Sequence, residues 1–175
     1  MVLSRDSNWY YLPRNRRIII MTRDEVCAIV KKHIVPRMRG YRWKVAGSFR
    51  RRLLNSEDID IVIVGDGHVW MDQNPDLQYR EGGSKRVRFW IGDILVDLGF
   101  CESECFETML LMYTGSGKFN RSMRWLAKEY GYKLNEYGLF NRITGILITR
   151  KVFEIFQLLK LEWHEPYQRR GWIRT

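Results

Sequence analysis

The alternation of apolar and polar positions divides the chain into a strand-rich first part and a helix-rich second part. Val26, Ile29, Val30 and Ile34 recur at helical spacing. Thr22-Arg23-Asp24-Glu25, just before them, has the form of a capping box, with a threonine at the N-cap and a glutamate three residues on. That helix is expected to end near Pro36 or Gly40. Residues 42–46 then read as a short strand running into Gly47-Ser48. Over 57–64 the period is two, with Asp58, Asp60 and Val62 on one face and Ile59, Ile61 and Ile63 on the other, the pattern of a half-buried strand. Residues 65–83 are rich in turn formers. Two strands are expected at 87–90 and 91–99, joined by a hairpin around Ile91-Gly92-Asp93. Helical patterns follow at 104–113 and 118–130, separated by Thr114-Gly115-Ser116-Gly117. Short segments at 132–135, 138–141 and 145–148 suggest a small sheet with turns at Tyr137-Gly138 and Thr144-Gly145. A last helix is expected at 150–160. This order implies an α+β fold of two lobes, 1–103 and 104–175, with no internal repeat.

Composition narrows the partners. Within 175 residues, 45% are apolar, enough for a packed core. No apolar run is long enough to span a bilayer, and the first 17 residues lack a signal-peptide apolar region, so a soluble intracellular protein without membrane contact is expected. Cys27, Cys101 and Cys105 do not make a disulfide framework, and no second Cys/His pair completes a zinc site. His33, His68 and His164 lack partners at ligand spacing. Thirty Lys/Arg against twenty Asp/Glu give a net charge of +10, which favours a polyanion. The excess is concentrated: residues 1–56 carry 14 basic and 3 acidic side chains. Residues 1–17, with Trp9, Tyr10, Tyr11, Arg14, Arg16 and Arg17, read as a basic aromatic arm.

Two groups of residues carry candidate chemistry. On a strand, Asp58 and Asp60 project from one face about 6.6 Å apart, at roughly 3.3 Å per residue. Carboxylates so placed can converge on two cations held about 3.5–4 Å apart. Asp97 stands inside the apolar segment Ile94-Leu95-Val96-Asp97-Leu98, where a bare charge is unexpected. Asp93 shares its parity and is a competing third acid, but follows Gly92 in a turn; Asp97 sits deeper among apolar neighbours. Oxygen ligands of this kind suit hard cations. Upstream, Gly47-Ser48-Phe49-Arg50-Arg51-Arg52 combines a Gly-Ser turn with arginines, whose guanidinium forks match phosphate.

Together these residues resemble a known signature. Gly47-Ser48, Arg50-Arg51 and Asp58-Ile59-Asp60 in this order are similar to the motif of the nucleotidyltransferase superfamily, and specifically of the family X DNA polymerases. Tyr113-Thr114-Gly115-Ser116 through Asn120 and Arg124 resembles the nucleotide-binding helix start of the polymerase beta-like members. Lys133-Leu134-Asn135-Glu136-Tyr137-Gly138 and Trp163-His164-Glu165-Pro166 continue the likeness. The resemblance implies a nucleotidyltransferase palm, a mixed sheet flanked by helices, in 1–103, followed by a small α+β thumb in 104–175. The chain looks like the minimal palm-plus-thumb form found in short viral members and is expected to act as a monomer. It further implies two Mg²⁺ ions, with Mn²⁺ as a substitute, on Asp58, Asp60 and Asp97. Gly47, Ser48 and Arg51 would hold the triphosphate. Tyr113, Gly115 and Ser116 would lie against the sugar and Asn120 against the base of a dNTP. Arg121, Arg124, Arg14, Arg16 and Arg17 would meet gapped or primer-template DNA. Met112, Gly117 and Leu95 depart from the usual pattern, replacing an aromatic, an acid and an arginine; low fidelity is the expectation drawn from them. The activity implied is templated gap filling in DNA repair. Template-independent or RNA nucleotidyl transfer, and a basic DNA-binding protein without catalysis, are the alternatives.

Overall fold

The computed structural model describes residues 19–173; Arg14, Arg16, Arg17 and the aromatic residues of the arm lie outside them. A short strand β1 (Met21–Thr22) leads into α1 (Arg23–Ile29), whose N-terminus carries the capping box: Thr22 Oγ1 accepts from Glu25 N at 3.4 Å, and the Glu25 carboxylate accepts from Thr22 N at 2.7 Å. The helix continues as a π-helical stretch (Val30–Ile34) and a 3₁₀ turn (Val35–Met38) that brings Pro36 into its first positions. Then come β2 (Trp43–Val45), the single-turn helix α2 (Gly47–Arg50), β3 (Asn55–Ser56), which pairs with β1, and β4 (Asp58–Val64).

The segment 65–83 is more ordered than its turn-rich composition indicates. It holds α3 (Gly67–Asp72), capped by the Asp66 carboxylate, and β5 (Gln78–Gly82). The cap explains the helix: Asp66 Oδ1 accepts from His68 N at 2.8 Å and Val69 N at 3.3 Å. The cap then lets buried Trp70 reach Phe89 and Phe100. A tertiary anchor thus overrides weak local propensity.

Next, β6 (Arg86–Ile91) and β7 (Ile94–Cys101) form a hairpin with Gly92-Asp93 at its tip. The five-stranded sheet runs β2-β4-β7-β6-β5, with β4 and β7 parallel and the other pairs antiparallel. One face buries Ile59, Ile61, Ile63, Val87, Phe89, Val96, Leu98 and Phe100 beneath α1, its extension and α3. On the other face Val62 and Cys101 pack with Phe106, Met109 and Leu110 of α4 (Phe106–Thr114) and its preceding turn. The same face carries Asp58, Asp60 and Asp97 farther along the strands.

The C-terminal part has its own core. α5 (Gly117–Glu129), the three-stranded antiparallel sheet of β8 (Tyr132–Asn135), β9 (Gly138–Asn141) and β10 (Leu147–Thr149), and α6 (Val152–Leu158) bury Phe119, Met123, Leu134, Leu139, Ile155 and Phe156 together. The fold is therefore α+β, with a mixed five-stranded sheet. Among the described residues no helix is long and apolar enough to cross a membrane.

Candidate active site

Register places the acids. In the parallel pair, Asp60 of β4 lies opposite Asp97 of β7, and Asp58 lies opposite Leu95, one pleat away on the same face. The hairpin register puts Arg88 opposite Asp97, and β5 sets Glu81 opposite Arg88. A row of charge, Asp60–Asp97–Arg88–Glu81, thus crosses four strands. Asp97 is 4% exposed and is held by two guanidinium groups. Arg86 Nε donates to its Oδ1 at 2.9 Å while Arg86 Nη2 pairs with Oδ2, and Arg88 Nε donates to Oδ2 at 3.0 Å. Arg86 lies opposite Gly99, so its side chain reaches Asp97 diagonally.

The side-chain carboxylates of Asp58 and Asp60 receive no hydrogen bond or ion pair from the described residues. Burial, then the charges of Asp58 and Asp97, pushes the Asp60 carboxyl up to about 8, and burial with Asp97 and Glu57 raises Asp58. Arg51, Arg86 and Arg88 lie near these half-buried carboxylates without bonding them or offsetting their burial, and an oxygen-ligated cation is a group that would do so. Among the described residues no three acidic, histidine or cysteine side chains are gathered as a ready cage, because Asp97 is turned onto Arg86 and Arg88.

The donor set nonetheless fits a divalent ion, and this has a measurable consequence. A carboxyl with a raised folded pKa favours the fold when protonated. Its contribution is present below about pH 4, the ordinary value, and is lost as pH rises toward 8. In EDTA, the wild-type protein is therefore expected to lose melting temperature relative to Asp60→Asn as pH rises from 4 to 8. Mg²⁺ should close that gap with release of protons, read by calorimetry in buffers of different ionisation heat. A gap independent of pH would remove the argument.

Gly47 stands directly over Asp60. Its φ is +52°, and a Cβ there would lie 1.9 Å from Asp60 Oδ2, so no larger residue fits. Ala46 N donates to Asp60 O at 2.8 Å, fixing the entry of α2 to β4. Ser48 Oγ donates to Ser56 Oγ at 2.7 Å. Arg51 is half-buried beside Asp60 and Asp58, and its Nη1 donates to Thr114 O at the end of α4. Burial lowers its pKa against the pull of those two acids.

The same end of α4 brings Tyr113 across β7. A Cβ at Gly99 would come within 2.4 Å of the Tyr113 ring, so the missing side chain is what admits the aromatic. Burial and the nearby Asp97 charge hold its hydroxyl in the protonated form far above neutral pH. Gly115 follows with φ +68°, and the Gly115–Ser116 peptide is cis. Ser116 caps α5, its Oγ accepting from Phe119 N at 3.3 Å, while its own N donates to Arg169 O at 2.9 Å. Asn120 is buried, with Nδ2 donating to Met112 O at 2.6 Å and Oδ1 without a hydrogen-bond partner among the described residues. Arg121 and Arg124 are exposed on α5; Arg121 lies 5.4 Å from the Trp172 ring and Arg124 Nη2 reaches Met112 Sδ at 3.7 Å. Asp93 lies at the hairpin tip, exposed and away from this group.

Sequence reading missed Arg86, Arg88 and Gly99. A signal was present: a two-residue turn at Gly92-Asp93 forces Arg88 opposite Asp97 and Arg86 opposite Gly99.

Residues 109–170 match the DNA polymerase beta thumb. DNA polymerase lambda of Rattus norvegicus is 29% identical over 168 residues, covering 70% of this chain and 28% of its own length. DNA polymerase IV of Saccharomyces cerevisiae is 44% identical over 74 residues, which is 42% of this chain and 12% of that protein. The DNA polymerase/3′-5′ exonuclease PolX of Bacillus subtilis is 27% identical over 128 residues, 69% of this chain and 22% of its own. The chain spans less than a third of the length of each of these relatives. The chain is thus similar to the family X, polymerase beta-like DNA polymerases, and its residues 109–170 match that family's thumb.

Proposed function

We propose that the chain is a DNA-directed DNA polymerase that adds dNTPs to a primer 3′-hydroxyl and fills short gaps in DNA repair. The observation that carries this is the cross-strand alignment of Asp60 with Asp97, with Asp58 on the same face and Gly47, Ser48 and Arg51 alongside.

Asp58 and Asp60 would hold both Mg²⁺ or Mn²⁺ ions and Asp97 the one nearer the primer. Bound there, such ions activate the hydroxyl and neutralise charge that develops on the transferred phosphoryl group. The residues of the chain do the rest. Ser48, the backbone of Gly47 and the Arg51 guanidinium hold the β- and γ-phosphates, which requires Arg51 to exchange Thr114 O for phosphate oxygen. Tyr113, Gly115 and Ser116 form the wall against the sugar, where a 2′-hydroxyl is crowded. Asn120 reads the base edge once Nδ2 leaves Met112 O. Asp97 would serve as a ligand once Arg86 released it; until then Arg86 and Arg88 hold its carboxylate. Positioning and electrostatic stabilisation of this kind are what phosphoryl transfer chiefly requires.

Extension of a gapped duplex, a recessed primer and an unpaired primer, with dNTPs and with rNTPs, tests the reading. Efficient dNTP addition on the gapped duplex is expected. Steady addition to unpaired primer would assign the chain to template-independent transfer, preference for rNTPs to RNA transfer, and no addition to a DNA-binding role alone. Neutralising Arg14, Arg16 and Arg17 together should weaken DNA binding and flatten its salt dependence by about 0.9 per lost phosphate contact. An unchanged slope would mean that the arm is not on DNA.

A further inference from the structure

The three consecutive arginines after Phe49 do not share a face. Arg51 turns toward Thr114 and the acids, whereas Arg50 and Arg52 line a cavity of about 310 Å³ between α2 and the C-terminal segment. Arg169 completes a trio there. It is 3% exposed, its Nε donates to His164 O at 2.8 Å, and its guanidinium lies 5.5–5.8 Å from the rings of Trp163, Phe156 and Phe119. None of the three has an ion-pair partner among the described residues, and Arg50 Nε is buried without a hydrogen bond.

Two carboxylates reach the cavity, and both are engaged elsewhere. Glu107 pairs with Arg42 at 3.0 Å, and Glu165 accepts from Trp163 Nε1 at 2.8 Å and caps the 3₁₀ turn at Pro166–Gln168. Burial, and to a lesser degree the neighbouring Arg50, pushes Arg169 down to about 10 against the opposing pull of Glu165. Three forks in one cavity, none in an ion pair with a described residue although Glu165 lies near Arg169, match an anion with several oxygens. The space exceeds a bare phosphate, and Trp163 and Tyr167, each about two-fifths exposed, offer flat rings at its rim.

We propose that this cavity binds a phosphate group carried on a nucleoside, at a site separate from Ser48 and Arg51. The ligand is either a free nucleotide or a phosphate within a nucleic-acid strand. The inference does not depend on polymerase activity.

Calorimetric titration of the full chain in EDTA tests it, using thymidine 5′-monophosphate, the dinucleoside monophosphate dTpT and inorganic phosphate. Saturable binding of at least one of the first two is expected, tighter than that of inorganic phosphate. Arg52→Gln, at an exposed position, should weaken it about 10-fold, as loss of a charge-assisted hydrogen bond does. Arg51→Gln should leave it within about twofold, and Tyr167→Ala should weaken the nucleotides but not inorganic phosphate. Tighter binding of the monophosphate supports a free nucleotide or strand end, and equal or tighter binding of dTpT supports a phosphate inside a strand. No saturable nucleotide binding, equal affinity for inorganic phosphate, or an equal loss in Arg51→Gln would overturn the proposal.

Discussion

Asp60→Asn is expected to lower kcat for nucleotide addition by about 10²–10³-fold or more, the scale of removing one preorganised electrostatic group from a phosphoryl-transfer site. The same substitution should leave the metal-free protein at least as stable as wild type at pH 8, because among the described residues the Asp60 carboxylate has no hydrogen bond or ion pair to lose and burial disfavours its charge. Asp97→Asn provides the contrast. It should also abolish addition, but it removes the carboxylate charge that pairs with Arg86 and Arg88, leaving Arg88 with Glu81. Arg86 is 42% exposed, so solvent screening limits the cost to about 1–3 kcal/mol, less than that of breaking a fully buried pair. Primer extension combined with urea unfolding separates the two. Equal destabilisation by both variants would mean that Asp60 is a structural ion-pair member, contrary to the geometry.

The second large effect is expected at Gly47. Alanine there meets the Asp60 carboxylate at 1.9 Å and must also hold a φ of +52°. The backbone term costs about 1–3 kcal/mol. Relief of the collision must shift either α2 or Asp60, which displaces Ser48 and Arg51 from the acids. A loss of kcat of about 10²-fold is expected, since roughly 1 Å of misplacement has that effect. Gly40→Ala is the control. Its φ is +83° with nothing within 4 Å of the added carbon, so it carries the strain without the collision. It should lower stability and leave turnover unchanged; an equal kcat loss in both variants would show that the approach of Gly47 to Asp60 has no catalytic importance.

Much of this arrangement was legible because it rests on strand parity and local caps. The two-residue period over 57–64 sets both acids on one face, and the capping box at Thr22 marks the helix start to the residue. The tight turn at Gly92-Asp93 fixes the hairpin. What composition concealed is what depends on partners distant in sequence. α3 lies in a stretch of glycine and aspartate, and its Trp70 is buried only because β6 and β7 supply Phe89 and Phe100. The pairing of Asp60 with Asp97 needs a parallel crossover that no local pattern states. Gly99 carries no sign of its purpose until Tyr113 is placed over it from α4. The division of labour among Arg50, Arg51 and Arg52 is likewise set by the turn of α2 and by the return of the chain at Arg169.

The most direct measurement is a crystal structure with Mn²⁺ and a non-hydrolysable dNTP, with the ions located by anomalous scattering. Two manganese peaks about 3.5–4 Å apart are expected between β4 and β7, ligated by Asp58, Asp60 and Asp97, with Arg86 withdrawn from Asp97 and the triphosphate on Ser48 and Arg51. Absence of metal at saturating nucleotide, with Asp97 still clasped by Arg86 and Arg88, would contradict the account.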